Sequence, residues 1–466
     1  MKTKKHRMNK EKHEERDVVN EVAGGHAEED ELNHADGGVD QLNQQQQPTR
    51  RVNTFNKDLC TALISSDIPI NKLSTRTFSS FLEKYTGHKI PDQTTIRKYY
   101  VKGIYDATID VIRKKADGKK IWISIDETTD VQRRYIACFI FGILGEEEER
   151  RKCYLANVAH LKSANHSTIA AFFNDSLKIL WPRQILYGNI LIVTTDAAAY
   201  MCKAMNGLKV LFPKMVHVTC LAHGLHRIAE LVRSNYPQVN RLISSTKSIF
   251  LKSPKRVEKF KELYPDIPLP PLPIATRWGT WLTAAEYYSA HLEEVTNVVM
   301  ELDETEAESI AECKQILNDA QLKFSLSHIA TKFTILSKTI KRLETRGLSI
   351  ESVVDLVGNV KNTLERMYDR SYYNKFMQIM EKNEGFSTVT TISAVISGKI
   401  KETEDEITKT LSSFDLSAFK YAPVVSCDAE RFFSVYKNVL ADNRRSFHFV
   451  NLKYHLIIKC NENQSI

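Results

Sequence analysis

The hydrophobic positions that follow residue 54 repeat at helical spacing. Phe55, Leu59 and Leu63 recur every four residues and would line one face of a helix. The same periodicity predicts helices over residues 78–85 and 94–114, the second opened by the start signal Pro91-Asp92. Residues 54–118 are therefore predicted to form an N-terminal helical domain.

The third of these helices carries Arg97, Lys98, Tyr99, Tyr100 and Lys102. Basic residues that alternate with aromatic ones can grip a nucleic acid, because the rings stack on bases and the cations meet phosphates. The same pattern also arises on a half-buried helix face that belongs to an ordinary core. The residues alone leave both interpretations open.

The hydrophobic period then changes from helix to strand. Residues 121–126 (IWISID) form a short run rich in β-branched side chains, and residues 134–144 and 151–158 follow after short polar links. Three such runs in close succession predict an antiparallel meander.

Helical and strand patterns alternate after the meander. Helices are predicted over 167–181, 197–212 and 221–234, and strands over 189–195 and 215–219. This order predicts a mixed α/β sheet with helices on its faces. Beyond the proline-rich stretch 265–273, the pattern is helical from about 281 to 411, and again over 429–440 and 449–459.

The N-terminal 53 residues carry too few apolar side chains to offset the entropy of ordering, so we expect a disordered tail. Residues 1–16 have a net charge of +4 and residues 17–40 of −8, so the overall +8 leaves +12 for residues 41–466. This excess suits a polyanionic partner, although charge that serves only solubility gives the same balance. The basic stretch KTKKHRMNKEK is either a nuclear import signal or a solvated tail.

Other compositional features bound the class of protein. The chain contains no run of eighteen apolar residues, so we expect no membrane span, and its first residues do not resemble a secretory signal. Its eight cysteines form no CxxC pair, which favours reduced thiols inside a cell.

Two aspartates stand at the ends of predicted apolar strands. Asp126 closes IWISID and Asp196 closes ILIVTTD. A carboxylate at the end of a buried strand is costly unless a cation or several donors compensate it. Two of them in one cleft suit Mg²⁺ or Mn²⁺, which prefer oxygen ligands. The alternative for Asp196 is that it caps the helix that follows.

At this point the sequence resembles the hAT superfamily of DNA transposases. The resemblance covers about residues 55–461, and the closest subgroup is the hAT-derived relatives of CGG triplet repeat-binding protein. Its motifs are SIDETTD at 124–130, TTDAAAYMCKA at 194–204, Cys220-Leu221-Ala222-His223, Thr276-Arg277-Trp278, SCDAERFFS at 426–434, and Asn443-Arg444-Arg445 with the tail Leu452, Leu456 and Asn461.

The resemblance implies a ribonuclease H-like mixed sheet with a large all-α insertion. The first part of this core would span residues 119–264, and a linker with the helical insertion domain would span 265–420. Asp126, Asp196 and Glu430 would be both catalytic residues and metal ligands, holding two Mg²⁺ or Mn²⁺ ions for DNA strand cleavage and transfer. Residues 421–466 would supply the catalytic glutamate and a helical dimerisation segment, which implies a homo-oligomer.

Four further residues receive roles from the resemblance. Arg277 would contact DNA phosphate and Trp278 would stack on an extruded base, although Trp278 is equally a packed hinge aromatic after the prolines. Cys220 and His223 would have a structural role near the active site. A structural zinc ion at this pair is the alternative, but zinc usually needs four ligands.

Relatives of this type usually begin with a BED zinc finger, and residues 1–53 contain no cysteine, so we expect no finger in this chain. Either the segment that encodes it is missing or the protein has been adopted by its host. Three functions follow as hypotheses: a nuclear DNA transposase, a non-catalytic DNA-binding regulator of transcription, and a dimerisation scaffold alone.

Overall fold

The computed structural model describes residues 53–251, 253–272, 279–440 and 447–462. The predicted tail at residues 1–53 lies outside this part, except for Asn53, which caps the first helix. From Asn53 onward the chain belongs to one compact unit. The division into domains at residues 118, 264 and 420 stays a prediction.

Five strands form one mixed sheet in the order β3-β2-β1-β4-β5. β1 pairs antiparallel with β2, which pairs antiparallel with β3, whereas β1–β4 and β4–β5 are parallel pairs. The predicted meander and the predicted mixed α/β class are therefore confirmed. The strands are β1 (Ile121–Thr129), β2 (Tyr135–Ile143), β3 (Tyr154–Leu161), β4 (Ile190–Thr195) and β5 (Val216–Thr219).

The N-terminal helices are α1 (Thr54–Ser65), α2 (Arg76–Thr86), α3 (Gln93–Ile96) and α4 (Lys102–Ala116), with a π-helical turn at Arg97–Val101. They enclose a second hydrophobic cluster, which Ile458 joins from the far end of the chain. In the basic and aromatic stretch, Tyr99 is 53% exposed, whereas Tyr100 accepts a hydrogen bond from Asn56 Nδ2 at 3.0 Å. The stretch is thus divided between an exposed face and a packed one.

Helices cover the sheet and extend beyond it, because the chain after β3 returns to helical spacing. Those between and just after the strands are α5 (His166–Leu180), α6 (Ala199–Leu208), α7 (Leu221–Asn235), α8 (Pro237–Phe250) and α9 (Pro254–Leu263). The predicted helical stretch from 281 to 411 contains α10 (Thr280–Ala290), α11 (Leu292–Met300), α12 (Glu308–Leu317), α13 (Ala320–Lys332), α14 (Thr334–Leu343), α15 (Ile350–Glu365), α16 (Ser371–Glu381), α17 (Glu384–Ile396) and α18 (Glu406–Thr410). The last three are α19 (Ser413–Ala418), α20 (Cys427–Val439) and α21 (Phe449–Glu462).

Both edges of the sheet are closed by a buried asparagine that takes the place of a strand. At β5, Asn383 Oδ1 accepts from the Thr219 amide at 2.9 Å, and Asn383 Nδ2 donates to the Thr219 carbonyl at 2.7 Å. At β3, Asn461 makes the same pair of bonds with Leu155, at 3.0 and 2.9 Å. One N–H and one carbonyl of each edge strand are thereby satisfied inside the chain.

The C-terminal helix α21 packs within its own chain. Leu452 and Leu456 are fully buried and Asn461 is 4% exposed, and α21 contacts α1, α4 and β3. These three residues of the expected dimerisation segment therefore serve the monomer's own core in this arrangement. Elsewhere, all eight cysteines are free thiols, and none of the described helices is both long and apolar enough to cross a membrane.

Candidate functional site at the ends of β1 and β4

Asp126 is a buried carboxylate near the end of β1. Its side chain is 5% exposed, and its Oδ1 accepts the backbone amide of Glu127 at 2.8 Å. Burial raises the pKa of Asp126 well above its ordinary value, and the charges of Asp196 and Glu430 raise it further, while His223 opposes them. Asp126 thus lies in the electric field of both other carboxylates.

Asp196 follows the last residue of β4. Because β4 runs parallel to β1, the two strands end at the same edge of the sheet, which brings Asp196 towards Asp126. Its Oδ1 accepts the amide of Ala198 at 3.1 Å. Asp196 is not the N-cap of α6, because that helix begins at Ala199 and its N-cap residue is Ala198.

Glu430 lies in the first turn of α20, which packs against β1 and β2. Its side chain is 41% exposed, and its Oε1 lies 4.0 Å from Nε2 of His223. The third carboxylate therefore approaches from a helix far along the chain, whereas the first two come from the sheet.

A buried aspartate anchors α20 to the sheet. Asp130 Oδ2 accepts from the Tyr436 hydroxyl at 2.9 Å and pairs with Arg134 at 2.7 Å. Burial raises the pKa of Asp130, but the hydrogen bonds from Arg134 and Tyr436 outweigh this and leave the pKa lowered. Asp130 is thus a charged tether, four residues beyond Asp126, which sequence reasoning did not single out.

The start of α20 is held by a second ionic contact. Asp428 Oδ1 receives Arg346 Nη2 at 2.7 Å and Arg431 Nη1 at 2.6 Å. Arg431 also donates to the Glu344 carbonyl at 2.6 Å. Two charged residues of the SCDAERFFS motif therefore fix the helix end, while Glu430 between them remains partly exposed.

Cys220 is the N-cap residue of α7, on the turn that follows β5, and His223 lies in the first turn of α7. The Cys220 thiol is buried and accepts the Ser426 amide at 3.3 Å, and the Leu221 amide donates to the Val424 carbonyl at 3.2 Å. This turn therefore abuts the segment that leads into α20. The geometry places Cys220 behind Glu430 and His223 beside it.

A further carboxylate was missed at the sequence level. Glu127 Oε1 accepts the Tyr200 hydroxyl at 2.6 Å, and Glu127 Oε2 is buried without a hydrogen-bond partner among the described residues. Burial raises the pKa of Glu127, the Tyr200 hydrogen bond lowers it, and Asp196 raises it. The signal available in the sequence was its position directly after Asp126.

The donor set at this edge consists of carboxylates, which is the chemistry of a site for Mg²⁺ or Mn²⁺. A divalent cation would offset the like charges that raise the pKa of Asp126. Within the described part of the chain, no three His, Cys, Asp or Glu side chains form a preformed metal site, either as zinc ligands or as an assembled triad. Asp196 and Glu430 are partly exposed, which leaves their side chains room to turn.

Two predicted DNA contacts, Arg277 and Trp278, lie outside the described residues, as do Thr276 and the Asn443-Arg444-Arg445 motif. Their predicted roles stay predictions. Comparison with known proteins adds no relative, because no family model and no curated protein matches this chain.

Proposed function

We propose that this chain is a hAT-type, transposase-derived nuclear DNA-binding protein whose site cleaves and transfers DNA strands with Mg²⁺ or Mn²⁺. One observation carries the proposal: Asp126 and Asp196 lie at the same end of the parallel pair β1–β4, and α20, which bears Glu430, packs against β1. Burial raises the pKa of Asp126 and the charges of Asp196 and Glu430 raise it further, which a divalent cation held by the three carboxylates would offset.

The sheet supports the same assignment. Its order β3-β2-β1-β4-β5, with β2 antiparallel to its neighbours, is the arrangement expected of a ribonuclease H-like core. The two aspartates each lie two residues beyond Ser124–Thr194, the last pair between the parallel strands β1 and β4, on the carboxyl side where α/β sheets place their ligands. The helices between β5 and α20 supply the bulk expected of an all-α insertion.

In this proposal each residue has a defined task. Asp126, Asp196 and Glu430 would hold the ions, which activate the attacking oxygen and stabilise the leaving one during in-line displacement. Asp130 and Tyr436 would keep α20 in place, and with it Glu430. Cys220 would brace the turn behind Glu430.

The remaining expectations belong to the same proposal. DNA would be the partner, with Arg277 on a phosphate and Trp278 on a base, and the nucleus would be the compartment. A homo-oligomer formed through residues 421–466 would use surfaces of that region other than the buried Leu452 and Leu456.

The decisive experiment is cleavage of DNA that carries the terminal repeats flanking the gene, with Mg²⁺ or Mn²⁺, by the wild type and by Asp196→Asn. We expect a loss of at least about a hundredfold in the variant, because an essential charged ligand is removed. Asp175→Asn is the matched control, since Asp175 is an exposed carboxylate on α5 that pairs with Lys178. Equal cleavage by Asp196→Asn and the wild type would reject the catalytic assignment.

Binding without cleavage in all three proteins would favour the second candidate, a non-catalytic DNA-binding regulator of transcription. If the chain neither cleaves nor binds DNA, the remaining hypothesis is the dimerisation scaffold. Analytical ultracentrifugation of the full chain then tests that hypothesis.

A further inference from the structure

A cationic groove lies on the surface beside the start of α20. It is formed by the turn between β2 and β3, the loop between α14 and α15, and residues 420–421, and it encloses about 530 Å³. Five cationic side chains and a single carboxylate, that of Glu351, line it. The cations of this arginine groove are Arg150, Arg151, Arg342, Arg346 and Lys420.

Part of the groove is rigidly built. Arg150 Nε and Nη2 both donate to the Gly347 carbonyl, at 2.9 and 2.5 Å, and the Arg150 guanidinium stacks 3.6 Å from the Tyr421 ring centre. Gly347 has a φ of +74°, and a Cβ there would lie 2.9 Å from Arg150 Nε. The loop can therefore approach the arginine this closely only because residue 347 is glycine.

The other cations of the groove have no acidic partner among the residues that the structure describes. Arg151 and Arg342 are exposed, and neither forms an ion pair with any residue in the described ranges. Lys420 is exposed as well and lies over the Tyr421 ring. Arg150 and Arg346 are each paired with a carboxylate, Glu147 at 2.9 Å and Asp428 at 2.7 Å. Within the described part of the chain, the unpaired positive charge of the groove therefore comes from Arg151, Arg342 and Lys420.

The ligand chemistry follows from the kind of cation. Four of the five are arginines, whose planar guanidinium matches phosphate oxygens with two hydrogen bonds. The first turn of α15, from Ile350 to Ser352, also lines the groove, and its amide dipoles add to the attraction for an anion. Several cations along an open groove fit a repeating phosphodiester better than a single phosphate.

The groove also continues towards the candidate site. A neighbouring cavity shares Arg150, Arg151, Arg346 and Tyr421 with it and reaches Asp428 and Arg431 at the start of α20. Glu430 lies between those two residues in the same helical turn. The two cavities together therefore extend from the groove to the start of the helix that bears the third carboxylate, although Glu430 itself lines neither of them.

We propose that the arginine groove binds the phosphate backbone of duplex DNA next to the candidate site. Identifying the bound strand as the one to be cut rests on the proposed function, but the binding itself does not. Arg151 and Arg342 contact phosphates, while Arg150 and Arg346 fix the walls.

The test is fluorescence anisotropy of a labelled DNA duplex with the full chain, in EDTA, over a range of salt. Arg151→Ala/Arg342→Ala is compared with Arg183→Ala/Lys261→Ala, which removes two exposed cations elsewhere. We expect the groove variant to bind roughly 10- to 60-fold more weakly near 0.1 M salt, and its salt slope to fall by about two. The control should match the wild type.

The proposal is overturned by a groove variant whose affinity and salt slope equal those of the control, or by a wild-type chain that does not bind DNA. Tighter binding of polyglutamate than of DNA, lost in the same variant, overturns it in favour of an acidic protein partner. Binding through the groove without metal-dependent cleavage leaves the groove intact and rejects only the catalytic assignment. Metal-dependent cleavage by a groove variant whose DNA affinity is unchanged rejects the groove as the DNA-binding surface and leaves the catalytic assignment intact.

Discussion

Replacing Asn383 by alanine should open one edge of the sheet. Asn383 is 2% exposed, and its amide supplies the only side-chain bonds that the structure gives to the backbone of Thr219 at the end of β5. Alanine would leave a buried N–H and a buried carbonyl without partners. Thr219 directly precedes Cys220, so the change would also loosen the turn that faces α20.

The magnitude follows from these two bonds. A buried polar group left without its partner costs about 1–3 kcal/mol, so two groups lower the free energy of opening at this edge by about 2–4 kcal/mol after partial relaxation. At 1.4 kcal/mol for each factor of ten, the Thr219 amide should exchange hydrogen roughly 30- to 700-fold faster.

Hydrogen exchange resolved at individual amides measures this directly, and Asn461→Ala is the matched control. Asn461 makes the same pair of bonds with Leu155 on the opposite edge, roughly 19 Å away if four strand spacings separate the edges. Each variant should accelerate exchange at its own edge only, and the double variant should show both effects additively. Unchanged protection of Thr219 in Asn383→Ala would refute the assignment of this asparagine as a strand substitute.

Two further predictions concern charge. Asp126→Asn should raise the melting temperature in EDTA near neutral pH. Burial raises the pKa of Asp126, so its ionisation is penalised in the folded state and stability falls as pH rises above 3.8. Added Mn²⁺ should stabilise the wild type but not the variant, and a lower melting temperature for the variant in EDTA would contradict this prediction. Burial and the Lys209 charge lower the pKa of His217 from 6.5 to about 4, so the folded chain binds fewer protons than the unfolded chain between these pH values. The stability contributed by neutral His217 should be complete above pH 6.5 and should decline by up to about 3 kcal/mol as the pH falls towards 4. Melting curves of His217→Gln should lack this decline, and an equal decline in both proteins would contradict the prediction.

Local patterning predicted most of the secondary structure. Each predicted strand and helix between residues 121 and 234 is present, with ends that differ by only a few residues. The same local information placed Asp126 and Asp196 at strand ends. The strand predicted to end at Asp126 in fact continues along β2 to Thr129. Its pairing with the parallel strand β4 stops at Ser124 and Thr194, so the two aspartates, each two residues further on, still lie at the same end of this pair.

The placement of Glu430 near the sheet could not be predicted from local spacing. From the sequence it followed only from the resemblance, because no periodicity relates α20 to a strand 300 residues earlier. The contacts that hold α20 are long-range: Tyr436 with Asp130, and Arg346 with Asp428. Side chains this far apart in the sequence meet only after the chain has folded, so the spacing of hydrophobic residues does not predict such pairs.

The sequence alone therefore determined the elements, the α/β class and the two strand-end aspartates, because these depend on spacing within a few residues. Only the tertiary structure decided that Glu127 is buried against Tyr200, that Asn383 and Asn461 close the sheet, and that scattered arginines line one groove. These features arise where distant segments meet. Burial and electrostatic fields belong to that packed arrangement, so they have no counterpart in any short stretch of sequence.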